Sequence, residues 1–127
     1  MGSTVASMNQ LLEAIERVER TGAEAQRAIA DGVASIDSAR QLLVAGTPVS
    51  RIVADLVKLG GRDARLRSSA AIDEFEHAVM IYRGGLIRAM VDDEKLSLTQ
   101  VGRLLGISRQ MTARLYREHP EPPPVTR

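Results

Sequence analysis

Apolar residues recur along the chain with a helical period. Met8, Leu11, Leu12, Ile15 and Val18 share one face of a helix predicted over about Val5–Arg20. Thr21-Gly22-Ala23-Glu24 fits a capping box, Thr21 as N-cap and Glu24 reaching back, so a second helix is expected from there to about Ala45. Gly46-Thr47-Pro48 is punctuation: the glycine closes one helix, Thr47 caps the next and Pro48 occupies its first turn. The third helix is short and ends at Leu59-Gly60-Gly61. A fourth begins between Arg62 and Ser69 and runs to about Asp92, with Phe75, Val79, Tyr82, Leu86 and Met90 as its core stripe. Within it, Gly84 and Gly85 each cost roughly 1 kcal/mol relative to Ala, so either a neighbour approaches closely there or the helix bends. No stretch alternates between hairpin turns, and no sheet is expected.

A longer pattern crosses the first two helices. Met8, Leu11, Ile15, Val18, Gly22, Ala25, Ile29, Gly32, Ile36, Ala39 and Leu43 keep spacings of three and four, the heptad signature of helices meeting along a seam. Two readings follow: a coiled coil joining two copies, or an amphipathic hairpin packed within its own chain. The spacing is the same for both.

The most informative segment is Ser97–Glu118. Ser97 and Gln100 form a capping box that starts a short helix at Leu98, and Val101, Leu104 and Leu105 give it an apolar face. Gly106 ends that helix as the residue free to turn left-handed, Ile107 plugs the turn, and Ser108 caps a second helix through about Arg117. A bulky side chain at Gly102 would hold the two helices apart. Met111 and Leu115 are expected on the buried face of the second helix, with Thr112 as a further candidate.

Val101-Gly102, Leu105-Gly106-Ile107, Ser108-Arg109-Gln110 and Leu115 together resemble the helix-turn-helix of bacterial DNA-binding proteins, in the style of sigma-factor promoter-reading domains and of resolvase-like or repressor-like regulators. The resemblance covers residues 97–118. One departure stands out: Thr112 occupies a position usually held by Val or Ile, so either Met111 fills the core or Thr112 packs by its methyl. The resemblance implies sequence-specific binding of double-stranded DNA by a bacterial transcriptional regulator. A helix lying in the major groove offers base edges the side chains of its first turns, which places Arg109, Gln110, Ala113 and Arg114 as readers. Thr99, Gln100, Arg103, Ser108 and Arg117 are placed as phosphate anchors.

Charge sharpens this reading. The chain of 127 residues has a formal net charge of only +1. Residues 1–94 carry a balance of −3, whereas residues 95–117 hold Lys95, Arg103, Arg109, Arg114 and Arg117 with no acid, a balance of +5. With three aromatic residues, the chain lacks the stacking platforms of single-stranded RNA recognition, and duplex DNA is favoured. There is no Cys, no nucleophile–base pair and no phosphate loop, so no enzyme, cofactor or thiolate metal site is expected. Glu74 and His77 have a Glu-x-x-His spacing but lack a second such pair. Lys58, Arg62, Arg65 and Arg67, with Ser68 and Ser69, form a secondary basic group that is either a solvated face or a minor phosphate contact.

The expected architecture is all-α. A self-association or interaction region spans residues 1–61 as a helical hairpin or coiled-coil-like pair. A three-helix DNA-binding unit without a wing spans 62–118, and a disordered Pro-rich tail spans 119–127. No membrane span or secretory segment is evident, so a cytoplasmic, nucleoid-associated homodimer joined through its N-terminal helices is expected. The alternative is a protein-interaction module, such as an antitoxin or an RNA polymerase-binding adaptor, with auxiliary DNA contact.

Overall fold

A computed structural model describes residues Gly2–Glu118; the Pro-rich tail expected over 119–127 lies outside them. Five α-helices and one π-turn follow in order: α1 Gly2–Val44, α2 Val49–Lys58, α3 Gly61–Arg88, the π-turn Ala89–Asp93, α4 Leu98–Leu105 and α5 Arg109–Glu118. No strand occurs among the described residues, and none of their helices is long and apolar enough to cross a membrane.

The N-terminal hairpin expected from Thr21 is absent, because α1 runs unbroken for 43 residues. Its apolar period passes through Thr21-Gly22 without a change of phase, so a turn there would split a continuous face. Thr21 and Ala25 are buried, and a Cβ at Gly22 would lie 3.2 Å from Cε1 of Phe75. Packing overrides the local capping signal, as it does wherever tertiary burial outweighs helix propensity.

The helix ends follow backbone hydrogen bonding. Gly46, at φ 86°, closes α1 in a Schellman arrangement: the Gly46 N–H donates to the Leu43 carbonyl and the Thr47 N–H to that of Leu42, both at 3.0 Å. Thr47 does not cap α2. Pro48 takes the N-cap position without a side-chain bond, and its carbonyl accepts from the Arg51 and Ile52 N–H groups. Gly60, at φ 81°, closes α2, and a Cβ at Gly61 would meet the Leu56 carbonyl oxygen at 2.8 Å.

The chain divides into two compact units. One comprises the described residues of Met1–Glu19 and Glu76–Arg127; the other is Arg20–Phe75. In the first, Ala78, Ile81, Gly84 and Ile87 of α3 are buried, together with Val101 and Gly102 of α4 and Thr112 of α5. The expected α3 stripe is therefore displaced: Val79, Tyr82, Leu86 and Met90 are half-buried and flank the true centre, and Phe75 is half-buried in the second unit. Ile81 and Ile87 share that centre with Ala78 and Gly84, whose small side chains carry little weight in a hydropathy pattern. The Gly84-Gly85 pair does not interrupt α3. Gly84 is buried, and a Cβ at Gly85 would stand 3.1 Å from Cδ2 of Leu11, so close approach is the reason for glycine there. In the second unit Thr21, Ala25 and Ile52 are buried, and the Ser68 hydroxyl donates to the Ala64 carbonyl at 3.0 Å and to that of Ala28 at 3.5 Å.

The connection into α4 is tight. The Glu94 N–H reaches back five residues to the Ala89 carbonyl at 3.2 Å, and the Leu96 N–H to that of Met90 at 3.0 Å. The reversal places Lys95 at φ 61°, a left-handed conformation that costs a Cβ-bearing residue on the order of 1 kcal/mol. Replacing Lys95 with Gly is expected to raise stability by up to about 1 kcal/mol. Urea unfolding of both proteins measures this, and a lowered midpoint would contradict it.

Candidate nucleic-acid interface

Local bonding builds the α4–α5 pair as its sequence implies. The Ser97 hydroxyl accepts from the Gln100 N–H at 3.1 Å, and the Gln100 side-chain oxygen accepts from the Ser97 N–H at 2.8 Å, completing the capping box. At the other end Gly106, at φ 72°, lets its own N–H reach the Arg103 carbonyl and the Ile107 N–H reach that of Gly102, at 3.3 and 2.9 Å. Ser108 then caps α5, its hydroxyl accepting from the Met111 N–H at 3.0 Å.

Contact across the turn depends on Gly102. A Cβ there would lie 2.9 Å from both the Ile107 carbonyl oxygen and Oγ1 of Thr112, and 3.5 Å from the Ser108 carbonyl oxygen. Those neighbours are backbone and a fixed hydroxyl, so they have little room to give way. Thr112 is fully buried, and its Oγ1 donates to the Ser108 carbonyl at 2.8 Å. A buried hydroxyl satisfied within its own helix carries no desolvation penalty. The ambiguity over the core residue therefore resolves to Thr112. Met111, expected in the core, is 41% exposed in the first turn of α5. The signal for this exchange was available in Gly102, whose facing partner must be a compact β-branched residue and not a long one. Leu104 and Leu105 also depart from expectation: both are exposed, and Val101 alone carries the buried apolar side of α4.

The expected contact residues occupy defined places. Arg109, Gln110, Arg114 and Arg117 are exposed on α5, and Ala113 is half-buried. Gln110, Arg114 and Arg117 follow one another at helical spacing, away from Thr112, Leu115 and Tyr116. Thr99, Gln100 and Arg103 are exposed on α4, and Ser108 is exposed in the turn. The capping box consumes the Gln100 backbone N–H and side-chain oxygen, so Gln100 offers only its side-chain amide nitrogen to a ligand. The Ser108 hydroxyl accepts in its cap and keeps its proton to donate. Lys95 completes a set of five exposed cations on this acid-free segment.

A cluster not read from the sequence anchors α5. The Tyr116 hydroxyl donates to Oδ1 of Asp92 at 2.7 Å. Nη1 of Arg88 lies 3.9 Å from Oδ2 of the same carboxylate, and its guanidinium stacks 4.9 Å from the Tyr116 ring centroid. The hydrogen bond to Asp92, reinforced by desolvation and the carboxylate's charge, raises the phenol above its ordinary ionisation value against the opposing pull of Arg88.

Elsewhere, His77 and Glu74 are exposed, and no three His, Asp or Glu side chains gather as metal ligands among the described residues. Ser68, from the secondary basic group, spends its hydroxyl on α1 and α3 carbonyls. Compared with protein-family models, with curated proteins and with solved structures, the chain matches none.

Two outcomes follow. Gly102→Ala is expected to destabilise the protein by about 1–3 kcal/mol despite alanine's better helix propensity, because the added methyl meets backbone. Thermal unfolding reads this, and an unchanged or higher midpoint contradicts it. Since the folded state favours the neutral Tyr116 phenol, its contribution to stability is complete below the ordinary value of about 10 and is lost as pH rises through the raised one. Two tyrosines and no tryptophan make tyrosinate absorbance a clean probe. Asp92→Asn is expected to move the Tyr116 titration to lower pH, and an unmoved curve counts against the hydrogen bond as the cause.

Proposed function

We propose that the protein binds double-stranded DNA sequence-specifically through α4, the Gly106 turn and α5, acting as a transcriptional regulator. The observation that carries this reading is the exposed row of hydrogen-bonding side chains starting at the first residue of α5. Arg109 and Gln110 stand there, Arg114 and Arg117 follow one and two turns on, and no acid interrupts residues 95–117. Such a helix has the dimensions and donor set that the major groove accepts.

In this reading Arg109, Gln110 and Arg114 read base edges, Arg pairing well with guanine and Gln with adenine. Ala113, half-buried, sits low enough to let the helix approach, and Met111 adds an exposed apolar tip beside the readers. Arg117, Arg103, Thr99, the amide nitrogen of Gln100 and the Ser108 hydroxyl anchor phosphates. The Leu98 and Thr99 N–H groups at the start of α4 have no acceptor among the described residues and add to that set.

A second reading is favoured by one observation. Ile29, Val33, Ile36, Leu43, Val53 and Val57 are extensively exposed, as in a protein-interaction module for which DNA contact is auxiliary. Selection of bound duplexes from a random pool by the full chain separates the two: a protein that enriches no sequence even at low salt belongs to the second. For the favoured reading, Arg109→Ala is expected to cost about 1–3 kcal/mol and relax the preference at one base pair. Arg117→Ala is expected to weaken binding to all sequences alike and flatten the salt dependence. Equal losses of specific and non-specific affinity in both variants would refute this division of roles.

A further inference from the structure

We infer that Met111 reads the 5-methyl group of a thymine, so that the bound duplex has one position where thymine is preferred for its methyl alone. This rests on the DNA-binding reading above and adds an apolar contact to its polar ones. Charge and capping patterns do not single out Met111, and its hydrophobicity points to the core. Yet it is 41% exposed in the first turn of α5. The other exposed residues of 108–117 are Ser108, Arg109, Gln110, Arg114 and Arg117, all of them polar.

Three features of the position converge. Packing of α5 on α4 does not call for an apolar residue there, because Thr112 fills the junction against Gly102 and closes its hydroxyl onto the Ser108 carbonyl. The backbone at 111 is held: its N–H donates to the Ser108 hydroxyl at 3.0 Å, in the turn from which a helix lying in the major groove meets base edges. The side chain also has a reader for a neighbour. At about 100° per residue, Met111 stands about 60° from Arg114 and one turn before it, on the shoulder of the row formed by Gln110, Arg114 and Arg117. In the major groove that shoulder meets one apolar target, since thymine alone among the four bases presents a methyl group there. Arg and Gln recognise hydrogen-bonding groups and are indifferent to a methyl. The unbranched, polarisable thioether of Met adapts its three torsions to cover one.

The test uses the full chain and a duplex it enriches from a random pool, with each thymine replaced in turn by uracil. The replacement removes the methyl and leaves every hydrogen-bonding group in place. At one position it is expected to weaken binding about fourfold, the value of one buried methyl. Met111→Ala is expected to bind the thymine duplex more weakly by a similar factor and to lose nothing further on the uracil duplex, so that the two losses do not multiply. Its helical circular dichroism and thermal midpoint are expected to hold, as Ala is a good helix former at an exposed position. Should that variant lose helix, Met111→Gln decides, being similar in length and polar at its end: equal affinity for the two duplexes is expected. A selected site without thymine, thymines that all tolerate uracil, or a preference that survives in the variants would each overturn the inference while leaving DNA binding intact. A chain that enriches no duplex overturns both.

Discussion

The α4–α5 pair depends on a missing carbon. At residue 102 the space a Cβ would occupy is bounded by the Ile107 carbonyl and the Thr112 hydroxyl, each within 3 Å of it. Because glycine yields that space, the first turn of α5 seats directly against α4, and Thr112 can be the residue that fills the junction. Its hydroxyl closes onto the Ser108 carbonyl, and Ser108 in turn caps α5. Three small residues thus fix where the outward row of α5 begins. A larger residue at any of them would shift Arg109 and Gln110 relative to α4, and the base-reading role proposed for them leaves little room for displacement.

Much of this was legible in the sequence because it is local. Capping boxes, left-handed glycines and an acid-free run are written within a few residues, and the Ser97–Gln100 and Gly106 features appear where their chemistry places them. What was not legible depends on distant partners. Thr21-Gly22 reads as a helix start until Phe75 is seen across from it. Met111 is the more hydrophobic choice for the core until Gly102 shows that the junction is too shallow for it. The Arg88–Asp92–Tyr116 cluster joins residues 24 positions apart through a π-turn that no pattern announces. The resemblance to helix-turn-helix proteins covers the part of the chain whose geometry is set locally, and residues such as Arg109 and Arg114 are placed by it as candidate contacts.

The long α1 carries one repeat whose surroundings change along its length. A heptad pattern specifies that a face will be covered and is silent on what covers it. Here the answer changes along a single helix: Gly22 and Ala25 mark where the chain covers itself, and Ile29 to Leu43 mark where it stops. Gly22 and Ala25, where the chain covers the helix, are small, and Ile29, Val33 and Ile36, where it does not, are β-branched. This accords with backbones approaching closely in one and aliphatic surface remaining on offer in the other.

The tie between Tyr116 and Asp92 bears on motion. Terminal helix turns ordinarily fray, opening and closing at almost no free-energy cost. Tyr116 lies in the last turns of α5, and its hydroxyl and ring are clasped by two residues outside that helix. Unwinding the end of α5 therefore means releasing a carboxylate and a guanidinium together with the helical bonds. The clasp makes the end of α5 part of a larger cooperative opening, and Arg114 and Arg117 sit on backbone that is stiffened before any partner arrives. A surface ordered beforehand loses less entropy on contact, so in the proposed DNA-binding role the clasp would lower the cost of association without itself touching the duplex.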